Sequence, residues 1–358
     1  MRGSTALWCE PKSGESATDI RLELHFNMWC DLPGGSDVLD VGILFKKGKK
    51  PEKLYFYIPG KVTVAEVSDL SKVLRDRTTR IAVFNDTLEF VRNVGDAFEV
   101  GKGAELEDFC ITPCPPSSIA FQRIAEAGQD IGTVLIVGPE IFKSFVPCAN
   151  NYIRFRVHLT KSVGSVFTSY TTQSDGIVLS SFYRTIVVEF RINELRNLSG
   201  AFHDNFPSIP MPSIDAIHYF LVRNIQVELA RSHADFRKMR RLEQHLWTKY
   251  LEEFPTVKVE NMIIYHWRKK FETHSGSSSK GVSDFMALCS FRQLRGNLGW
   301  FGIAAVVIGA IGNSVQALGA SLLACLHSPA LIQLVLIGIS LVVMGLIYFI
   351  FRRLDRGC

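Results

Sequence analysis

Cys110 and Cys114, in the run Cys-Ile-Thr-Pro-Cys, come nearest in this chain to the spacing of a metal-binding pair. Two thiolates so placed can share a zinc ion, but a closed site needs four ligands, and no second cysteine pair or nearby histidine pair completes the set. The nine histidines are scattered, with no His-Glu-x-x-His run to seat a metal beside a general base. Neither a Gly-x-Ser-x-Gly nucleophile turn nor a phosphate-binding loop occurs, and Gly101-Lys102-Gly103 is too short for a dinucleotide fingerprint and reads as a turn. Glu105, Glu107 and Asp108 read as loop residues rather than a cation site. No catalytic, cofactor-binding or metal-binding residue is assigned, no cofactor is expected, and the chain is not read as an enzyme.

Two other groups have chemistry to offer. Arg231, Arg237, Lys238, Arg240 and Arg241 cluster around a single Asp235. Such a run is either a solvated face or a contact for an anionic partner such as lipid head groups, a nucleotide or nucleic acid. Asn313 and Gln316 are amides inside a segment otherwise almost wholly apolar. In hydrocarbon they need partners, found either across a helix pair or along an aqueous path formed by self-association.

The elements that must position these groups fall into two chemistries. The chain has 358 residues, 40 Lys and Arg against 35 Asp and Glu, yet from Gly296 to Phe351 a run of 56 residues has no charged side chain. Residues 1–295 carry 37 basic and 34 acidic groups, a near balance that argues against a general nucleic-acid binder, so nucleic acid is not expected as a direct ligand. About 20 helical residues cross a bilayer, so the uncharged run predicts two spans, broken at His327-Ser328-Pro329. Arg292 and Arg295 before the run, with Arg352, Arg353 and Arg356 after it, place both ends in the cytoplasm of a multi-pass inner-membrane protein. The N-terminal run has no apolar stretch like a signal peptide, and the eight cysteines are then thiols. Gly302, Ala305, Gly309, Gly312 and Gly319, interleaved with Gln316, recur three and four apart, a small-residue seam suited to close helix packing and homo-oligomerisation.

From Asp19 to about Arg196 the dominant hydrophobic period is two. Ile20, Leu22, Leu24, Phe26 and Met28 alternate with Arg21, Glu23, His25 and Asn27, which predicts a half-buried strand. Further strands are expected at 38–45, 53–58, 80–84, 87–92, 133–137, 152–159 and 176–192, and a short helix at 64–74. After Pro207, Pro210 and Pro212, the stripe Ile214, His218, Leu221, Ile225, Leu229, Phe236, Met239, Leu246 and Tyr250 predicts one long helix. A strand at 256–267, a linker at 274–281 and a juxtamembrane helix at 284–294 follow. The expected fold class is α+β: a mostly β cytosolic domain, sandwich or open barrel, plus the long helix, then a C-terminal two-helix transmembrane hairpin. The expected divisions are 1–200, 201–272, 273–296 and 297–358.

In this order of soluble module, flexible joint and terminal membrane unit, the chain resembles the membrane-acting effectors of bacterial anti-phage abortive-infection systems. The resemblance implies a toxin-like effector held inactive by a partner or by its own soluble domain, with a cytosolic protein or signal as partner, then released to oligomerise and permeabilise the lipid bilayer by pore formation. The competing expectation is a hairpin that only anchors, with the β domain a scaffold or receptor for a cytosolic partner. A tethered enzyme with an unrecognised site is the third.

Overall fold

The computed structural model describes residues 3–35, 37–101, 107–171, 183–271 and 281–294, together with a set of helical positions between 302 and 338. The chain divides into two compact units, Met1–Leu294 and Arg295–Cys358.

The first unit is built from two large sheets. One contains β1 (Ser4–Glu10), β4 (Lys53–Pro59), β9 (Ile119–Glu126), β10 (Gln129–Val137), β12 (Thr168–Thr171), β13 (Tyr183–Ile192), β15 (Val227–Ser232) and β18 (Phe285–Leu294), in the order β15-β18-β13-β1-β4-β10-β9 with β12 against β13. The other contains β2 (Arg21–Trp29), β3 (Asp37–Phe45), β5 (Val67–Asp69), β6 (Glu89–Val94), β7 (Ala97–Gly101), β8 (Phe109–Ile111), β11 (Asn150–Leu159), β14 (Ser213–Asn224), β16 (Lys238–Arg241) and β17 (Met262–Lys270). Its order is β16-β17-β14-β2-β3-β11-β8-β7-β6, with β5 also pairing β11.

Strand alternation decides what each face does. Leu22, Leu24, Phe26 and Met28 of β2 enter the main core with Leu7 of β1, Phe56 and Ile58 of β4, and Phe190 and Ile192 of β13. The intervening residues Glu23, His25, Asn27 and Trp29 turn to the opposite face and are buried as well, because that face is covered in its turn. The cover is a second core in which Trp29, Val38 and Leu44 meet Ala82 and Val83 of α1 (Arg77–Phe84) and Trp247 of α5 (Gln244–Trp247). Helix α1 starts where the Asp76 carboxylate accepts from the Thr79 amide and stops at Asn85, whose φ of 53° is left-handed. Shorter helices α2 (Pro139–Lys143), α3 (Lys161–Phe167) and α4 (Gly200–Asn205) fill the remaining edges.

The expected fold class is corrected in three respects. The long helix across 214–250 is instead β14, β15, β16 and the four-residue α5. Ile217, Tyr219 and Leu221 face the main core while Phe220 and Val222 face the second, so β14 is apolar on both sides and lacks the polar alternation that marks a strand. Residues 284–294, expected as a surface helix, form β18 and pair with β13 along its whole length. The two membrane-crossing helices are not supported, since no helix among the described residues is long and apolar enough to cross a membrane. Absence of charge sets a solvent preference and does not by itself fix the length of a helix. Smaller exchanges occur too. The strand expected at 80–84 is the end of α1, and the helix expected at 64–74 is β5 between two short 3-10 turns.

Candidate functional site

On the outer face of the second sheet, the parallel pairing of β2 with β14 sets His25 directly beside His218. Glu23 lies two positions before His25 on the same face of β2. The Glu23 Oε1 atom is 3.3 Å from His25 Nε2 and 3.2 Å from His218 Nε2, and the three ligand-type atoms all lie within 4.8 Å of one another. His218 Nε2 is buried and has no partner among the described residues other than this carboxylate. The other side of the cluster is held from behind. Lys46 Nζ lies 3.5 Å from Glu23 Oε2, and His218 Nδ1 lies 3.2 Å from His266 Nε2 on β17.

Protonation follows from these neighbours. Burial works against ionisation of Glu23, but the two imidazoles more than offset it and hold the carboxyl well below the usual carboxylate range. Burial pushes His218 down to about 4 against the pull of Glu23, and burial together with His218 pushes His266 down to about 3. At neutral pH the cluster therefore offers one carboxylate and at least two neutral imidazoles. It sits in a cleft of about 100 Å³ whose wall includes Arg237, Lys238, Arg240, Arg268 and Trp247. That volume admits an ion or a small anion, well short of the 300–1,000 Å³ usual for organic ligands. The indole Nε1 of the fully buried Trp247 has no acceptor among the described residues, an omission that ordinarily costs about 1–3 kcal/mol unless a ligand or water supplies one.

The structure brings three members of the expected basic group, Arg237, Lys238 and Arg240, to this cleft. Arg231 lies on β15 in the other sheet, and Arg241 donates to the Glu260 carbonyl. Cys110 lies on β8 and Cys114 is buried in the main core; both are free thiols raised by burial. Gly302, Ala305, Gly309, Gly312, Asn313 and Gln316 are helical and exposed. Gly319, Glu105, residues 274–280 of the linker and the break at His327-Ser328-Pro329 lie outside the described residues.

Sequence reasoning missed Glu23, His25, His218 and His266. Glu-x-His on a strand places both side chains on one face, a local signal that was present. The contribution of His218 depends on a parallel pairing across 193 positions, which no spacing rule reveals. No protein-family model matches this chain, and no curated protein is significantly similar to it.

Proposed function

We propose that this chain is a receptor working at a lipid surface, in which the two-sheet body takes a small anionic or ionic ligand in the outer-face cleft and the uncharged C-terminal run holds the body to the bilayer. The observation that carries this reading is the cleft itself, where buried carboxylate and imidazole groups meet a wall of four cationic side chains. Cationic walls around a small concavity raise the local concentration of anions. Composition supports lipid attachment: a run of 56 residues without charge is rich in apolar side chains, and apolar surface gains about 25 cal/mol per Å² when removed from water.

The test is membrane fractionation of the full chain with an alkaline carbonate wash. The chain is expected to stay with the membrane, and a variant carrying Ala305→Lys and Gly312→Glu to be released while its β-sheet circular dichroism is unchanged. Release of the unsubstituted chain overturns the reading.

A second reading, permeabilisation after self-association, is favoured by the helical placement of Asn313 and Gln316 three positions apart within the uncharged run. In an anti-phage setting, the cleft would then receive the infection signal. It predicts collapse of membrane potential on expression, abolished by Gln316→Leu or Gly312→Leu. A receptor leaves the potential intact.

A further inference from the structure

We propose that Glu23, His25 and His218 bind a divalent first-row transition metal of the zinc class, leaving at least one coordination position open to an anionic ligand from the cleft. The inference rests on reading this cleft as the ligand site of the body and names what occupies it.

The spacing fits such an ion. Metal–nitrogen and metal–oxygen bonds of about 2.0–2.1 Å at a tetrahedral centre put neighbouring ligand atoms about 3.3 Å apart. The two distances from Glu23 Oε1 are 3.3 and 3.2 Å, and the third pair closes within 4.8 Å. The donor set is two imidazoles and one carboxylate, which suits zinc, iron or cobalt and not magnesium or calcium, whose sites are built from oxygen.

A second, independent observation is the pair of supporting contacts. Metal-bound histidines pass their other ring nitrogen to a fixed partner, and bound carboxylates are held in turn. Here His266 stands behind His218 and Lys46 behind Glu23, while Glu23 Oε1 meets the Nε2 atoms of His25 and His218. His218 Nε2 is buried and meets only Glu23 Oε1, 3.2 Å away, among the described residues, so an ion seated between the two would take up both atoms. Three protein ligands are the number found in reactive sites rather than in closed structural ones. Arg237, Lys238, Arg240 and Arg268 in the same wall would pair with an anion bound at the open position.

The experiment uses the purified full chain, stripped with chelator, dialysed against Zn2+ and assayed by elemental analysis, with Co2+ as a spectroscopic probe. One equivalent of zinc per chain and the visible absorption of tetrahedral or five-coordinate Co2+ are expected. His25→Asn and His218→Asn should abolish both, His266→Phe should weaken affinity about 10- to 100-fold, and His245→Asn on the exposed surface should change nothing. Less than half an equivalent in the unsubstituted chain, or equal binding in the His25 and His218 variants, overturns the proposal. The unsubstituted chain decides even if a variant fails to fold. Carbonate-resistant membrane retention is scored separately: its survival without metal binding rejects the metal alone, and its loss with metal bound rejects the membrane receptor alone.

Discussion

Arg156 clasps Asp40 with two parallel hydrogen bonds, Nε to Oδ1 at 2.6 Å and Nη2 to Oδ2 at 3.0 Å, although 116 positions separate them and neither side chain reaches solvent. Their strands pair directly, Arg156 opposite Asp40. Trp29 Nε1 and the Tyr250 hydroxyl also donate to Asp40 Oδ2, at 2.8 and 2.6 Å. Burial opposes ionisation of Asp40, but Arg156 outweighs it and keeps the carboxyl below its ordinary range. Arg154 lies 3.8 Å from the same carboxylate, and Glu253 pairs with Arg156 from the rim. Two cations and two anions thus balance at the edge of the second core.

Removing the shared acceptor should be costly. Asp40→Ala leaves two buried guanidinium groups without their carboxylate, and a loss of about 3–5 kcal/mol is expected in urea unfolding. A double change to Asp40→Leu and Arg156→Met should be milder than the sum of the single changes, a coupling that a double-mutant cycle reads directly.

Acid and neutral pH should act in opposite directions on two carboxylates. For Glu253, burial is offset by His158 and Arg156 and the carboxyl falls to about 2, so the stability it contributes is present above the unfolded value near 4.5 and is lost as pH falls towards 2. Asp37 is raised to about 6, chiefly by burial and partly by Asp31, against the pull of Arg223. Its folded form keeps a proton that the unfolded chain releases, so stability declines as pH rises from about 4 to 6 and then levels. Asp37→Asn should remove that decline, leaving the variant more stable than the parent at pH 7 and equal to it near pH 4 by urea midpoint.

Gly42 stands opposite both His25 on β2 and Arg154 on β11. A methyl group there would collide with the Tyr152 hydroxyl and press on Arg154 Nη1. Gly42→Ala should cost about 1–3 kcal/mol by overpacking. Because the rings of Tyr152 and His25 are only 5.7 Å apart, the same change should also weaken ligand binding in the cleft, which titration calorimetry with Zn2+ would measure.

Thiol reactivity separates the six described cysteines. Cys148 is exposed, whereas Cys9, Cys30, Cys110, Cys114 and Cys289 are buried. Burial raises the Cys9 thiol to about 12 and Cys289 to about 11. Peptide mapping after brief iodoacetamide treatment should find Cys148 alkylated first among these six, with the buried thiols reacting only after unfolding.

Strands whose core-facing apolar residues alternate with polar or smaller ones could be read from the chain even where both faces are buried: the alternation around Leu22, Leu24, Phe26 and Met28 marks β2, and 38–45, 53–58 and 152–159 mark β3, β4 and β11 to within a residue or two. Reading failed where both faces of a strand carry apolar side chains. β14 carries apolar residues on each face, and a subset spaced by three and four imitates a helix. β18 failed for the opposite reason, since its exposed Leu288 and Leu294 blur the alternation of Phe285, Ala287, Cys289 and Phe291. The basic residues were found, but their partners in the cleft were not, because Glu23 and His218 meet only through sheet topology.

The parallel seam between β2 and β14 also has a bearing on biosynthesis. Arg21 and Ser213 open that pairing, so the first long strand made waits for almost two hundred further residues before its neighbour exists. Contacts of such high sequence separation slow folding and leave a central strand edge open to unwanted association on the ribosome. A nascent chain that has not yet extruded His218 carries only two of the three groups of the proposed site, and on that proposal would not bind its ligand. Truncated translation products would then stay silent.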